Sequence, residues 1–374
     1  MQNPKDAEPM DARNSDGDGA ASSPIGSNGP NDPSRPSELI GGKIKITRRK
    51  ILGATLGVAA VASAGYVSAA GRNADLSEFL DGEGMPYDAF DRLSAVDVQA
   101  DGGVIHVGFA PGDFALPKPR ILARIRQAAA AVTTYYGRFP VPSVRFLVVP
   151  VNGQNVQSGT TWGYRGAAIR ILLGRDTGEE ALQRDWVMTH EMVHLALPDM
   201  SQRYNWFSEG LAVYIEPIAR VQAGEFGAKV IWADMKRDMP KGLPTPGDQG
   251  LDYDATWGRI YWGGALFCLL ADIGIRRKTE NRMGLQDAMR GVLAAGGNHE
   301  VDWPIGRILA TADKATGQTV MTDLYNDMRA KPVRPDMERL WRELGVEVAA
   351  DDISLDDKAP LASIRTALTQ RRAS

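Results

Sequence analysis

One cysteine stands in 374 residues, Cys268. A single thiol excludes an intrachain disulfide and any metal site built from several thiolates. Cys268 falls in the apolar run Ala265-Leu266-Phe267-Cys268-Leu269-Leu270, which predicts a buried, unreactive thiol. Excess positive charge is also missing. The formal net charge is −3, so the chain has no broad basic surface for nucleic acid. No internal repeat is visible, and histidine is scarce, with four in the chain. The length suits one large domain or two smaller ones, and the apolar and charged fractions are those of an ordinary globular protein.

Two of the four histidines lie in one short stretch. Residues 186–197 read Trp-Val-Met-Thr-His-Glu-Met-Val-His-Leu-Ala-Leu, apolar nearly all round, and predict a buried helix. Burying two imidazoles and a carboxylate without partners is costly, because each loses its water. The spacing supplies a partner. His190 and His194 are four apart, so a helix stacks them on one face, where two imidazoles can hold one zinc ion. Glu191 sits beside them in the H-E-x-x-H pattern, in which the glutamate is the general base.

Fifteen residues beyond His194, Glu209 lies in a second largely apolar helical stretch, residues 206–216. Catalytic zinc usually takes three protein ligands and a water, and a carboxylate on a neighbouring helix would complete the set. His190-Glu191-Met192-Val193-His194, followed by Trp206-Phe207-Ser208-Glu209-Gly210-Leu211-Ala212, resembles the gluzincin metallopeptidases of the aminopeptidase N and glycyl aminopeptidase groups. That resemblance implies Glu209 as third ligand, Zn²⁺ as cofactor and a peptide or protein as substrate. Tyr261-Trp262-Gly263-Gly264-Ala265 resembles the Y-x-x-G-A of the same groups, which implies that the Tyr261 hydroxyl stabilises the oxyanion.

The chain departs from the family at one point. Aminopeptidase N–like enzymes carry a G-x-M-E-N stretch whose glutamate binds the free amine of the substrate. Residues 158–174 contain neither Glu nor Asp. An endopeptidase remains, or an exopeptidase using another carboxylate. Glu216, two turns beyond Glu209, is a candidate for that role or for a structural one. Residues 167–173 predict a strand just before the metal helix, and by position this segment is the candidate edge strand for pairing with extended substrate.

A capping box at residues 177–180 predicts that the metal helix starts near 178, and Pro198 should stop it. Asn205 is placed to cap the next helix, and Asp199 and Asn205 are possible partners for the imidazole N–H groups. Strands are expected at 103–109 and 143–151, with helices at 119–136, 285–295, 305–312, 320–329 and 335–344. His106 lies inside a strand and reads as a surface or satisfied histidine. His299 lies in a Gly-Gly-Asn loop and has no assigned role.

The N-terminal segment is different in kind. Residues 1–46, rich in Gly, Pro, Ser, Asn and Asp, predict disorder. Thr47-Arg48-Arg49-Lys50-Ile51-Leu52 resembles a bacterial twin-arginine signal, followed by an uncharged run at 51–70. The run is either cleaved near Val67-Ser68-Ala69 or kept as a membrane tether. Both outcomes place the remainder outside the cytoplasm, in the periplasm or cell envelope.

The expected fold is α+β: a zincin-like catalytic domain with a small N-terminal mixed sheet, an active-site helix pair and a helical C-terminal part. The β-rich part runs over 71–176, the helical zinc-binding part over 177–345 and a tail over 346–374. The expected function is zinc-dependent peptide hydrolysis, the alternative a catalytically silent scaffold of the cell envelope.

Overall fold

The computed structural model describes residues 76–80, 84–349 and 352–371. The expected signal or tether at 47–70 lies outside these residues, as does the segment 1–46. Among the described residues, no helix is long and apolar enough to cross a membrane.

Two one-turn helices, α1 (Ser77–Leu80) and α2 (Tyr87–Phe90), precede a five-stranded mixed sheet. Its strands are β1 (Val96–Ala100), β2 (Gly103–Phe109), β3 (Ser143–Val151), β4 (Val156–Trp162) and β5 (Ala168–Gly174), with α3 (Lys118–Tyr136) between β2 and β3. Their order across the sheet is β1-β2-β3-β5-β4. The central β2, β3 and β5 are parallel, and the edge strands β1 and β4 pair antiparallel. β3 is flanked on both sides and buried on both faces. Its sequence is therefore apolar almost throughout instead of alternating.

The two faces of the sheet are covered differently. Ile105, Val107, Val144, Phe146, Val148, Ile169 and Ile171 enter the main core, which includes the inner side of α3. Leu147, Val149, Trp162 and Ala168 on the other face are covered by Phe79, Met85, Tyr87 and Phe90 from the segment around α1 and α2.

The edge strand next to the metal helix is β4, whereas the sequence pointed to residues 167–173. Those residues form β5, which is interior, hydrogen-bonded to β3 and β4. Ser158-Gly159-Thr160-Thr161 looks like a turn in sequence but is extended strand, and its glycine serves a packing need described below.

The helical part comprises α4 (Glu179–Gln183), α5 (Val187–His194), α6 (Asn205–Gln222), α7 (Ala228–Asp238), α8 (Gly264–Lys278), α9 (Leu285–Ala294), α10 (Ile305–Thr316), α11 (Val320–Met328) and α12 (Met337–Leu344). Cys268 of α8 is buried and unpaired. Beyond α12 the chain does not trail off. β6 (Val346–Ala349) and β7 (Asp352–Leu355) form a hairpin, and α13 (Ala362–Thr369) follows. The buried Arg365 guanidinium fastens this end by donating to the carbonyls of Leu344, Gly345 and Asp356 at 2.8, 3.0 and 3.0 Å. Gln222 of α6 donates to the Leu368 carbonyl at 3.3 Å.

Candidate metal centre

The helix carrying the histidines starts later than its sequence suggests. Thr177 does not cap it; its hydroxyl donates to the Gly174 carbonyl at 2.7 Å. α4 ends at Gln183, and the chain restarts as α5 because the Asp185 carboxylate accepts from the N–H groups of Val187 and Met188 at 2.9 and 3.2 Å. Helix starts leave N–H groups without partners, and a carboxylate there satisfies them and suits the helix dipole. Asp185 is held in place by the buried Arg124, which donates to its carbonyl at 2.6 Å. α5 closes at His194, where the N–H groups of Ala196 and Leu197 turn back to Val193 and His194. The stop therefore precedes Pro198. Asn205 is the first residue of α6, and no side-chain cap forms there.

His190 and His194 lie one turn apart on α5 with their Nε2 atoms 3.2 Å apart. Glu209 reaches them from α6. Its Oε2 is 3.1 Å from His190 Nε2 and 3.7 Å from His194 Nε2. One ligand atom from each of the three residues lies within 4.8 Å of the others, and all three residues are buried.

The approach of Glu209 depends on glycine. A Cβ on Gly210 would stand 2.2 Å from Gly264 Cα, and one on Gly264 would stand 1.9 Å from the Trp206 carbonyl oxygen. α6 and α8 thus meet backbone to backbone. The glycines of the two sequence motifs are the two sides of one helix crossing.

Burial sets the electrostatics. It pulls His190 and His194 down to about 3 and pushes Glu209 up to about 7, the latter opposed by His194. Both imidazoles are therefore neutral, with lone pairs to give. Glu209 Oε1 and His190 Nδ1 are buried without a hydrogen-bond partner among the described residues. Three electron-pair donors packed this tightly are costly in isolation and satisfied by a divalent cation. Two imidazoles and a carboxylate are a donor set that zinc takes in hydrolases. The residues fit that ion.

Ser208 supports the site, and sequence reasoning missed it. Its hydroxyl lies 3.1 Å from His194 Nδ1, which fixes the ring with Nε2 toward Glu209. Asp199 does not play this part; its carboxylate accepts from the Met200 N–H at 2.8 Å. The Trp186 ring meets His190 edge to face at 5.3 Å.

Glu191 is buried against the edge strand. The Thr161 hydroxyl on β4 is 2.7 Å from Glu191 Oε2 and 2.9 Å from the Glu191 carbonyl oxygen. Glu191 Oε1 has no hydrogen-bond partner among the described residues. Desolvation raises the Glu191 carboxyl well above its ordinary range, opposed by the Thr161 bond. A Cβ on Gly159 would stand 2.4 Å from Glu191 Cγ, so only glycine leaves room for this side chain.

Tyr261 lies in a π-helical turn, Arg259–Gly263, that leads into the crossing at Gly264. π turns recur at functional sites. The Tyr261 ring is half-buried and stacks on Trp257 at 5.3 Å.

Glu216 does not join the His190, His194 and Glu209 group. It pairs with Arg220 at 2.8 Å, Arg220 pairs with Glu225 at 2.8 Å, and Arg124 lies 3.6 Å from Glu225 and 3.9 Å from Asp185. It is a structural group. His106 pairs across strands with Asp97 at 2.7 Å, away from the centre. His299, unassigned from sequence, is buried behind α5. Its backbone N–H bonds the Leu195 carbonyl, its Nδ1 lies 3.3 Å from the Leu197 carbonyl, and it also bonds the Thr161 backbone. It thus ties the end of α5 to β4.

The fold is zincin-like, with two histidines on one helix and a glutamate on the next. No family model and no curated protein matches the chain. Solved structures do. One is an aminopeptidase N family protein from Idiomarina loihiensis, with TM-score 0.52 and 16% identity, covering 69% of this chain and 50% of that one. Another is an M1 zinc metallopeptidase from Deinococcus radiodurans, with TM-score 0.43 and 16% identity, covering 64% of this chain and 52% of that one. The chain spans about half the length of the solved structures it matches. The resemblance to the aminopeptidase N family therefore holds at the level of fold.

Proposed function

We propose that this chain is a zinc-dependent peptidase. The convergence of His190 Nε2, His194 Nε2 and Glu209 Oε2, with Glu191 one residue along the same helix, carries the reading. His190, His194 and Glu209 would hold the ion. When bound, zinc acidifies water and polarises a carbonyl.

The rest falls to the chain itself. Glu191 takes a proton from the attacking water as its oxygen bonds to the scissile carbonyl carbon. The same carboxyl returns the proton to the amine nitrogen as the C–N bond breaks. The Thr161 hydroxyl suits both states of the base. It donates to Oε2 of the ionised carboxylate and can keep that bond when Oε1 carries the proton. Tyr261 donates to the developing oxyanion. The edge β4 offers its backbone to an extended peptide. The twin-arginine-like segment supports a site of action outside the cytoplasm, with residues 51–70 as signal or tether.

The test combines metal analysis with a panel of fluorogenic peptides having free and blocked N-termini. Zinc at one per chain, with cleavage lost on chelation, is expected. Preference between the two substrate sets distinguishes aminopeptidase from endopeptidase action. A folded, zinc-loaded protein that cleaves nothing in the panel would leave the scaffold reading in its place.

A further inference from the structure

We infer that Thr161 is a positioning residue for Glu191, acting from the edge strand to hold the base in one orientation. The inference rests on the peptidase reading for its consequence in catalysis, but not for the contact itself.

A glutamate on a buried helix has three side-chain torsions to fix. Two residues of β4, Gly159 and Thr161, meet the side chain. Gly159 presents no Cβ where the Glu191 Cγ and Oε1 lie, so the side chain rests against bare backbone. Two residues further along the same face of β4, the Thr161 hydroxyl meets Oε2 at 2.7 Å. It is also 2.9 Å from the carbonyl of the same residue, so Thr161 grips both ends of Glu191. Oε2 is thereby committed to the strand, and Oε1, which has no partner among the described residues, is the oxygen left for the reacting water. Thr161 is itself buried, at 3% exposure, so no solvent competes for its hydroxyl. The strand that would align the substrate therefore also aligns the base, and the two are registered to each other by one side chain.

Thr161→Val keeps the shape of the side chain and removes the bond. A hydrogen bond to a charged group contributes about 1.5–3 kcal/mol, so kcat should fall about 10- to 100-fold while KM stays within about twofold. Thr161→Ser should restore most of kcat, and zinc content should match that of the unaltered chain in both variants. Should Thr161→Val not fold, Thr161→Ala against Thr161→Ser differs by the hydroxyl alone and replaces it.

A second readout needs neither metal nor activity. In the metal-free chain, the thermal midpoints of Thr161→Val, Glu191→Ala and the double variant form a cycle. Their departure from additivity should be about 2–4 °C. A coupled cycle in a chain that cleaves no peptide would sink the peptidase reading and leave the contact standing. An additive cycle, or unchanged kcat in a folded Thr161→Val enzyme, would overturn the positioning role while the peptidase reading survives.

Discussion

Two buried polar clusters lie on and beside the same helix, and they are built on opposite plans. Arg124, Asp185, Glu216, Arg220 and Glu225 mix charges of both signs, and each carboxylate has a guanidinium within 3.9 Å. His190, His194, Glu191 and Glu209 include no permanent cation. Glu209 faces two neutral imidazoles, and Glu191 has the Thr161 hydroxyl. The first cluster sets each acid against a guanidinium of its own and serves to anchor α5 and α6, although Arg124 Nε and Nη1 and Glu225 Oε1 make no hydrogen bond among the described residues. The second lacks a permanent cation, and a divalent ion would complete it. A buried cluster of electron-pair donors with no cation among its members is the one to read as a candidate site.

The contrast can be broken in several ways. The largest effect belongs to Glu191→Gln, which leaves the three ligands intact. Zinc content should be unchanged and kcat should fall by about 10²–10⁴-fold, measured on the best substrate of the peptide panel. Full activity in that variant would remove Glu191 from the chemistry.

Next comes the cluster of mixed charge. Arg220→Met strands Glu216 in the interior and leaves Glu225 with Arg124 alone, and breaking a buried pair in this way costs about 3–5 kcal/mol. Denaturant unfolding of the metal-free chain should show the loss. Glu209→Gln, made in the other cluster, should cost the metal-free chain little, since it removes a carboxyl that burial already holds near neutrality. Equal destabilisation by the two changes would end the distinction between the clusters.

Zinc itself should separate them further. At about 100 times its dissociation constant, a ligand that binds only the folded state adds about 2.7 kcal/mol. The thermal midpoint should rise with zinc in the unaltered chain and in Arg220→Met, and fail to rise in Glu209→Gln. The smallest effect is that of Ser208→Ala. Loss of the hydroxyl behind His194 should weaken zinc affinity about 10- to 100-fold, read by competition with a chelating dye.

Much of the centre was legible because helical spacing is local. Two histidines four apart must share a face, and a tryptophan, glutamate and glycine in fixed order on the next helix marked Glu209. The supporting hydroxyls were not legible. Thr161 and Glu191 are 30 residues apart, Ser208 and His194 are 14 apart, and serine and threonine carry no pattern that singles out one among many. The edge strand was misplaced for a related reason. Glycine in Ser158-Gly159-Thr160-Thr161 reads as a turn, yet it is there because a buried glutamate lies against the strand. The start of the metal helix was misplaced because Arg124, 61 residues before Asp185, selects which acid caps it. The strands β2 and β3 and the helix α3 were read closely, their apolar periodicity being undisturbed by distant partners.

The cover on the outer face of the sheet ties the start of the described chain to β4. Phe79, Tyr87 and Phe90 close over Leu147, Val149 and Trp162, and Trp162 ends the strand that bears Thr161. Truncation past Phe79 would strip a wall from β4 on the face of the sheet away from His190, His194 and Glu209, so that edge strand depends on a segment lying well before it in the chain.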